Sequence, residues 1–130
     1  DHPRPLAFAS GAPLRSPAAG SQLIRSSRNG RLYWIANIVD DRPDGNRPRY
    51  PLQIAEIDED IPAVRDEAVF EIDTRRPGES ELLQLSNFRA YEDRREQNIM
   101  VVTSRYQMHG REHPESPAFR YRIDPRRLEA

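Results

Sequence analysis

The chain contains no cysteine, which removes disulfides and thiolate chemistry from consideration while leaving export open, since many exported proteins carry no bridges. It contains no lysine either: all 20 basic residues are arginine, a bias that fits an arginine-rich genome as well as any functional demand. Neither sign of charge prevails, because a formal charge of -1 is spread over a chain that is 32% charged. Interleaved charges create no field that would steer the molecule to nucleic acid or to an anionic membrane. No apolar run approaches the about 20 residues that span a bilayer. No charged-then-apolar leader precedes the first strand, and a start at Asp1 without methionine leads us to expect a processed or truncated piece. Helix formers are scarce: the one run of them, residues 63 to 68, is short and hemmed by Pro62. Glycine-rich phosphate loops, a nucleophile elbow and an ordered Ser-His-Asp set are all missing, and no cofactor is indicated.

What is present is strand-like. Residues 1 to 20, "DHPRPLAFASGAPLRSPAAG", hold four prolines and read as an arm or connector, with only Leu6 to Ala9 able to form a short edge strand. "SQLIRSSRNGRLYWIANIVDD" places two strand-like runs around Asn29-Gly30, the dipeptide that best supplies a two-residue hairpin turn. The run from Leu32 to Val39 is apolar on both faces, as an inner strand of a layered β fold would be. "YPLQIAEID" (50 to 58) and "AVFEID" (68 to 73) supply a third and fourth strand, joined in sequence by loops into an antiparallel meander. The pattern then restarts with strands over Leu82 to Ala90, Ile99 to Arg105 and "FRYRID" (119 to 124). The fold class is therefore all-β, with antiparallel meander sheets grouped four plus three. The arm covers 1–20, a first four-stranded unit 21–75 and a second, three-stranded unit 76–130, a repeat on the scale of about 40 to 50 residues typical of propeller blades.

Two segments carry a family resemblance. "GRLYWIAN" (30 to 37) follows the form Gly-Arg-aromatic-Leu-Val-Gly-Asn, and "RYPLQIAEID" (49 to 58) the form Arg-x-Pro-Leu opening the next strand. In these residues the chain resembles the C-terminal two blades of the sialidase-like, BNR-type β-propellers, over about residues 20 to 106. The family's Asp-box would fall near "EIDEDIPAV", where its glycine, threonine and tryptophan are absent. The resemblance implies two incomplete blades of a larger six-bladed propeller, a glycoside hydrolase or carbohydrate-binding function, a carbohydrate partner with carboxylate-bearing sugars foremost, the missing blades as further partners, and a secreted or periplasmic setting. It gives Arg49 the place of one of three arginines that clamp the substrate carboxylate, a geometry suited to a planar guanidinium; a surface loop arginine is the other reading.

The same register puts Leu85, in "QLSNF", where the family carries its nucleophilic tyrosine. Leucine can neither attack an anomeric carbon nor share a proton with a glutamate, so the usual mechanism should not run. Ser86, Asn87 and Arg89 fall near the expected pocket mouth, and with Arg49 and Asn37 they make up the expected substrate-binding set. A non-catalytic propeller or β-sandwich module binding a glycan or a protein partner is the rival reading, favoured by Leu85.

Other clusters read as structural. Tyr91, Glu92 and Asp93 fall at the far hairpin and read as a turn. His109 and His113 have helical metal-ligand spacing, but Gly110, Pro114 and Pro117 oppose a helix, so no metal is expected. "DDRPDGN" has Arg42 where a calcium loop needs an oxygen ligand and reads as a turn with local Asx hydrogen bonds. Tyr33 and Trp34 could stack on a sugar, although aromatics on an inner strand are more often core.

Overall fold

The computed structural model describes residues 2–113 and 115–129; Asp1 and Pro114, each used in the reading above, lie outside them. The fold is all-β. Strands β1 (Gln22–Arg25), β2 (Leu32–Asn37), β3 (Leu52–Asp58) and β4 (Ala63–Asp73) form one antiparallel sheet in sequence order. Strands β5 (Phe88–Glu92), β6 (Ile99–Ser104) and β7 (Ala118–Ile123) form a second. A short 3-10 turn, Pro125–Leu128, follows β7, capped by the Asp124 carboxylate on the Arg126 amide.

The two sheets meet face to face. Tyr33, Ile35, Leu52 and Ile54 of the first and Phe88, Ile99 and Val101 of the second form one buried core, which Leu83, Leu85 and Leu128 complete. The alternation of side chains along each strand decides this arrangement. On β5 and β7, Phe88, Ala90, Tyr121 and Ile123 turn inward, while Arg89, Tyr91, Arg120 and Arg122 turn to solvent. The first sheet is apolar on both faces, as the run from Leu32 predicts. Its other face, with Ala36, Ile38, Ala55, Ile57 and Val64, is covered by Leu6, Phe8 and Leu14 of the arm. The arm is pinned there by Ala9 donating to the Val64 carbonyl at 2.7 Å and by the Val64 amide donating to Ala7 at 2.9 Å.

Four local expectations change. Asn29-Gly30 does not close a two-residue turn: Ser26 and Arg31 pair through the Ser26 amide at 2.9 Å, and the loop between them holds four residues, Ser27 to Gly30. Ser26 Oγ accepts from the Arg28 and Asn29 amides, and Asn29 Oδ1 accepts from the Arg31 amide, so side chains satisfy donors that a tight turn would leave to the backbone. Gly30 still holds φ at +74° with open space around it. Gly30→Val is therefore expected to cost about 1 kcal/mol or more through backbone strain alone, read as a lowered urea midpoint.

Second, the fourth strand starts at Ala63 and not at Ala68: residues 63 to 68, where no helix was expected, join β4, held extended by pairing of Ala63 with Asp58 and Val64 with Ile57. Third, Leu82 to Asn87 is irregular rather than a strand. Its backbone bonds one residue at a time, Gln84 to Tyr106 and Leu85 to Arg49, while Leu83 and Leu85 still reach the core. In "DDRPDGN" the turn is closed by main-chain bonds between Asp44 and Arg47, with Gly45 at φ +60°, and not by Asx side chains.

Candidate functional site

The irregular stretch before β5 and the loop entering β3 meet at one end of the sheets. The Leu85 amide donates to the Arg49 carbonyl at 2.9 Å, which ties the two segments together. Arg49 lies between the cis Arg47–Pro48 and Tyr50–Pro51 peptides, and its guanidinium is held from three sides. Nε donates to the Asn46 carbonyl at 2.9 Å, and Nη1 to Gln84 Oε1 at 3.0 Å and Ser86 Oγ at 3.2 Å. Nη2 has no partner among the described residues.

Around it opens a recess of ≈ 810 Å³ lined by Arg49, Ser86, Asn87 and Arg89, with Ala18, Ala19 and Gly20 of the arm as its other wall. Four of the five residues expected at a substrate site thus share one depression. Arg89 donates from Nη1 to its neighbour's carbonyl, Phe88 O, at 2.9 Å and is in no ion pair among the described residues. Among the described residues no acidic side chain lines the recess. Two guanidinium groups without a carboxylate partner, beside a hydroxyl and a carboxamide, form a set of donors suited to an anionic, hydroxyl-bearing ligand.

Asn37 is the exception. It is buried, donating from Nδ2 to Pro51 O at 3.2 Å and Leu85 O at 3.4 Å, and it does not line the recess. It braces the segments that carry Arg49 and Ser86 from beneath. The residues that sequence reasoning missed are Gln84, which orients Arg49, and the wall of Ala18 to Gly20. A Cβ added at Gly20 would lie 3.9 Å from Ser86 O.

Leu85 is fully buried in the inter-sheet core. With its amide on Arg49 and its side chain turned inward, the position cannot present a reactive group to the recess. Among the described residues the lining contains no histidine, tyrosine, aspartate or glutamate; its side chains are hydrogen-bond donors and acceptors suited to holding a ligand.

Of the charged cluster read as a turn, Tyr91 and Glu92 instead end β5, paired with Met100 and Ile99, and the turn starts at Asp93. Asp93 Oδ1 accepts from the Arg95 and Glu96 amides at 3.0 and 2.7 Å, and Oδ2 from Asn98 at 3.0 Å. Those amides, that of Glu96 foremost, hold its carboxyl below the usual range. Glu92 accepts from the Ser27 amide at 2.7 Å, tying this hairpin to the β1–β2 loop. His109 and His113 sit in the exposed loop before β7, their rings edge to face at 6.4 Å.

A second polar cluster was not foreseen. Arg105, fully buried, donates to Asp73 Oδ2 at 2.7 Å and to Thr74 O at 3.2 Å, and pairs with Glu79; Tyr121 donates to the same Asp73 carboxylate. It joins the end of β4 to β7 and closes the opposite side of the core. Burial, with the Asp73 carboxylate beside it, pushes the Tyr121 phenol up to about 12. Its folded value lies above the unfolded 10, so its contribution to stability is fully present below pH 10 and is lost as pH rises through about 12. Wild type is therefore expected to lose stability above pH 10 more steeply than Tyr121→Phe, measured by urea unfolding across that range; parallel curves would exclude this phenol as the source.

The chain matches no family model, no curated protein and no solved structure.

Proposed function

We propose that the chain is part of a sialidase-like, six-bladed propeller, its sheets being the C-terminal two blades, and that the recess at Arg49 holds acidic carbohydrate. The observation that carries this reading is the convergence of Arg49, Ser86, Asn87 and Arg89 on one depression with no carboxylate in its wall among the described residues. A planar donor fork fits a sugar carboxylate, and the serine and asparagine fit its hydroxyls. Two antiparallel sheets of four and three strands packed face to face support the blade arrangement.

The contribution of these residues is binding. The buried Leu85 and a lining without an acid or base favour it over hydrolysis; any catalytic acid comes from blades outside this sequence. A self-contained β-sandwich module with the same ligand is a second reading, favoured by the arm, which covers the outer face of the first sheet where a neighbouring blade would pack.

A hydrolysis screen on the longest version of the gene product, with glycosides that do and do not bear a carboxylate, separates the activities. Turnover of acidic glycosides, lost in Arg49→Gln, would establish hydrolysis by the whole protein. Binding without turnover is the outcome expected of a lectin-like module. Failure to bind any acidic glycan would overturn the proposal.

A further inference from the structure

The second sheet is one strand short of the first, and the missing place has a defined chemistry. The Arg105 amide donates to Pro117 O at 3.0 Å, so these two residues form a hydrogen-bonded pair just before β7. In an antiparallel ladder such pairs alternate with pairs whose backbone groups point away. Followed along the register, Thr103–Phe119, Val101–Tyr121 and Ile99–Ile123 bond to each other. Ala118, Arg120 and Arg122 then turn their N–H and C=O groups outward, where no backbone partner meets them among the described residues.

The opposite edge of the same sheet is treated differently. By the same alternation the backbone groups of Phe88, Ala90 and Glu92 face outward from β5, and the Gln22 carboxamide closes the middle one: Nε2 donates to Ala90 O at 2.8 Å, and Oε1 accepts from Ala90 N at 3.0 Å. Beside the uncapped β7 edge runs a groove of ≈ 370 Å³ between β4 and β7. Its apolar lining comes from Ile54, Phe70, Ile72, Tyr121, Ile123 and Leu128. Phe70, Ile72, Tyr121 and Ile123 are only partly buried, because no fourth strand of the second sheet covers them. Arg120 and Arg122 also line the groove, on its exposed rim, and are in no ion pair among the described residues; Glu71 is the acid on the same rim.

We propose that β7 is a strand acceptor for an extended segment of another polypeptide in which apolar and acidic residues alternate. Main-chain bonds to Arg120 and Arg122 seat it, its apolar residues fill the groove over Tyr121 and Ile123, and its acidic residues stand opposite the two arginines. A second copy of this chain is a poor occupant, since antiparallel pairing of β7 with itself brings arginines opposite arginines, and like charges directly opposite are destabilising. The assignment does not depend on the ligand at Arg49.

Two soluble octapeptides test it, one alternating valine with glutamate and the other valine with lysine, titrated against the chain by fluorescence anisotropy with amide hydrogen exchange as a second readout. The glutamate peptide is expected to bind about tenfold more tightly than the lysine peptide, and to slow exchange at Arg120 and Arg122. In the double variant Arg120→Glu, Arg122→Glu the preference reverses. Absence of binding by both peptides, equal affinity for the two, or binding that leaves those two amides unprotected overturns the proposal. So does protection of the same amides that grows with protein concentration alone, which would make the partner a second copy.

Discussion

Replacing Arg105 with methionine is expected to destabilise the protein by about 3 to 5 kcal/mol. The guanidinium is fully buried and satisfies Asp73, Glu79 and the Thr74 carbonyl at once. Methionine fills a comparable volume, so the loss comes from leaving two carboxylates whose side chains are 11% and 9% exposed with only the exposed Arg76, 3.9 Å from Asp73, as countercharge. Asp73→Ala should cost a similar amount, because it leaves Tyr121 without its acceptor and Arg105 with only part of its countercharge. Lowering the pH should shrink the Arg105→Met deficit, since protonated carboxyls need no cation. For Glu79 the sign follows from its shift. Burial raises its pKa, but the Arg76 amide and the Arg105 charge outweigh burial and hold it below 4.5. Its stabilisation is therefore present above pH 4.5 and lost as pH falls through the depressed folded value. Urea unfolding of both variants at neutral and acid pH checks this; a deficit under about 1 kcal/mol at neutral pH would mean that the cluster contributes little.

The second large effect is expected at Leu85. Truncation to alanine removes a fully buried side chain from the centre of the core and should cost about 2 to 5 kcal/mol, depending on how far Leu83 and Phe88 relax into the space. Leu85→Tyr is the more informative change. It introduces the residue type that the sialidase resemblance would place there, yet the side chain points between the sheets, so the outcome should be overpacking of about 1 to 3 kcal/mol and no gain of glycoside turnover. A stable Leu85→Tyr protein that hydrolyses an acidic glycoside would show that the segment can turn its side chain into the recess.

The sequence revealed some of this and hid the rest for identifiable reasons. β2, β3, β6 and β7 were legible because Leu32 to Asn37, Leu52 to Asp58, Ile99 to Ser104 and Ala118 to Ile123 carry apolar residues at the period of a buried strand. The Leu83–Leu85 spacing imitated that period although the two residues hang from irregular backbone. At residues 63 to 68 the absence of a helix was legible, but the early start of β4 was not, because pairing with β3 and the arm, and not local composition, holds that stretch extended. Arg49, Ser86, Asn87 and Arg89 were legible only as a set placed by register. Asn37 looked polar enough for a ligand, but its amide is spent on two buried carbonyls. Arg105 gave no signal at all. A lone arginine ending a strand is ordinary, and its carboxylates lie 32 and 26 residues away in sequence.

Arg49 and Arg89 are expected to contact one sugar carboxylate together. A nitrogen-proton NMR titration of their guanidinium Nε–H signals with sialic acid, run beside its methyl ester, measures this. Saturable shifts at both arginines with the acid, absent with the ester and absent in Arg49→Gln, are the predicted result. Shifts of equal size with acid and ester, or none at either arginine up to the solubility limit of the sugar, would contradict it.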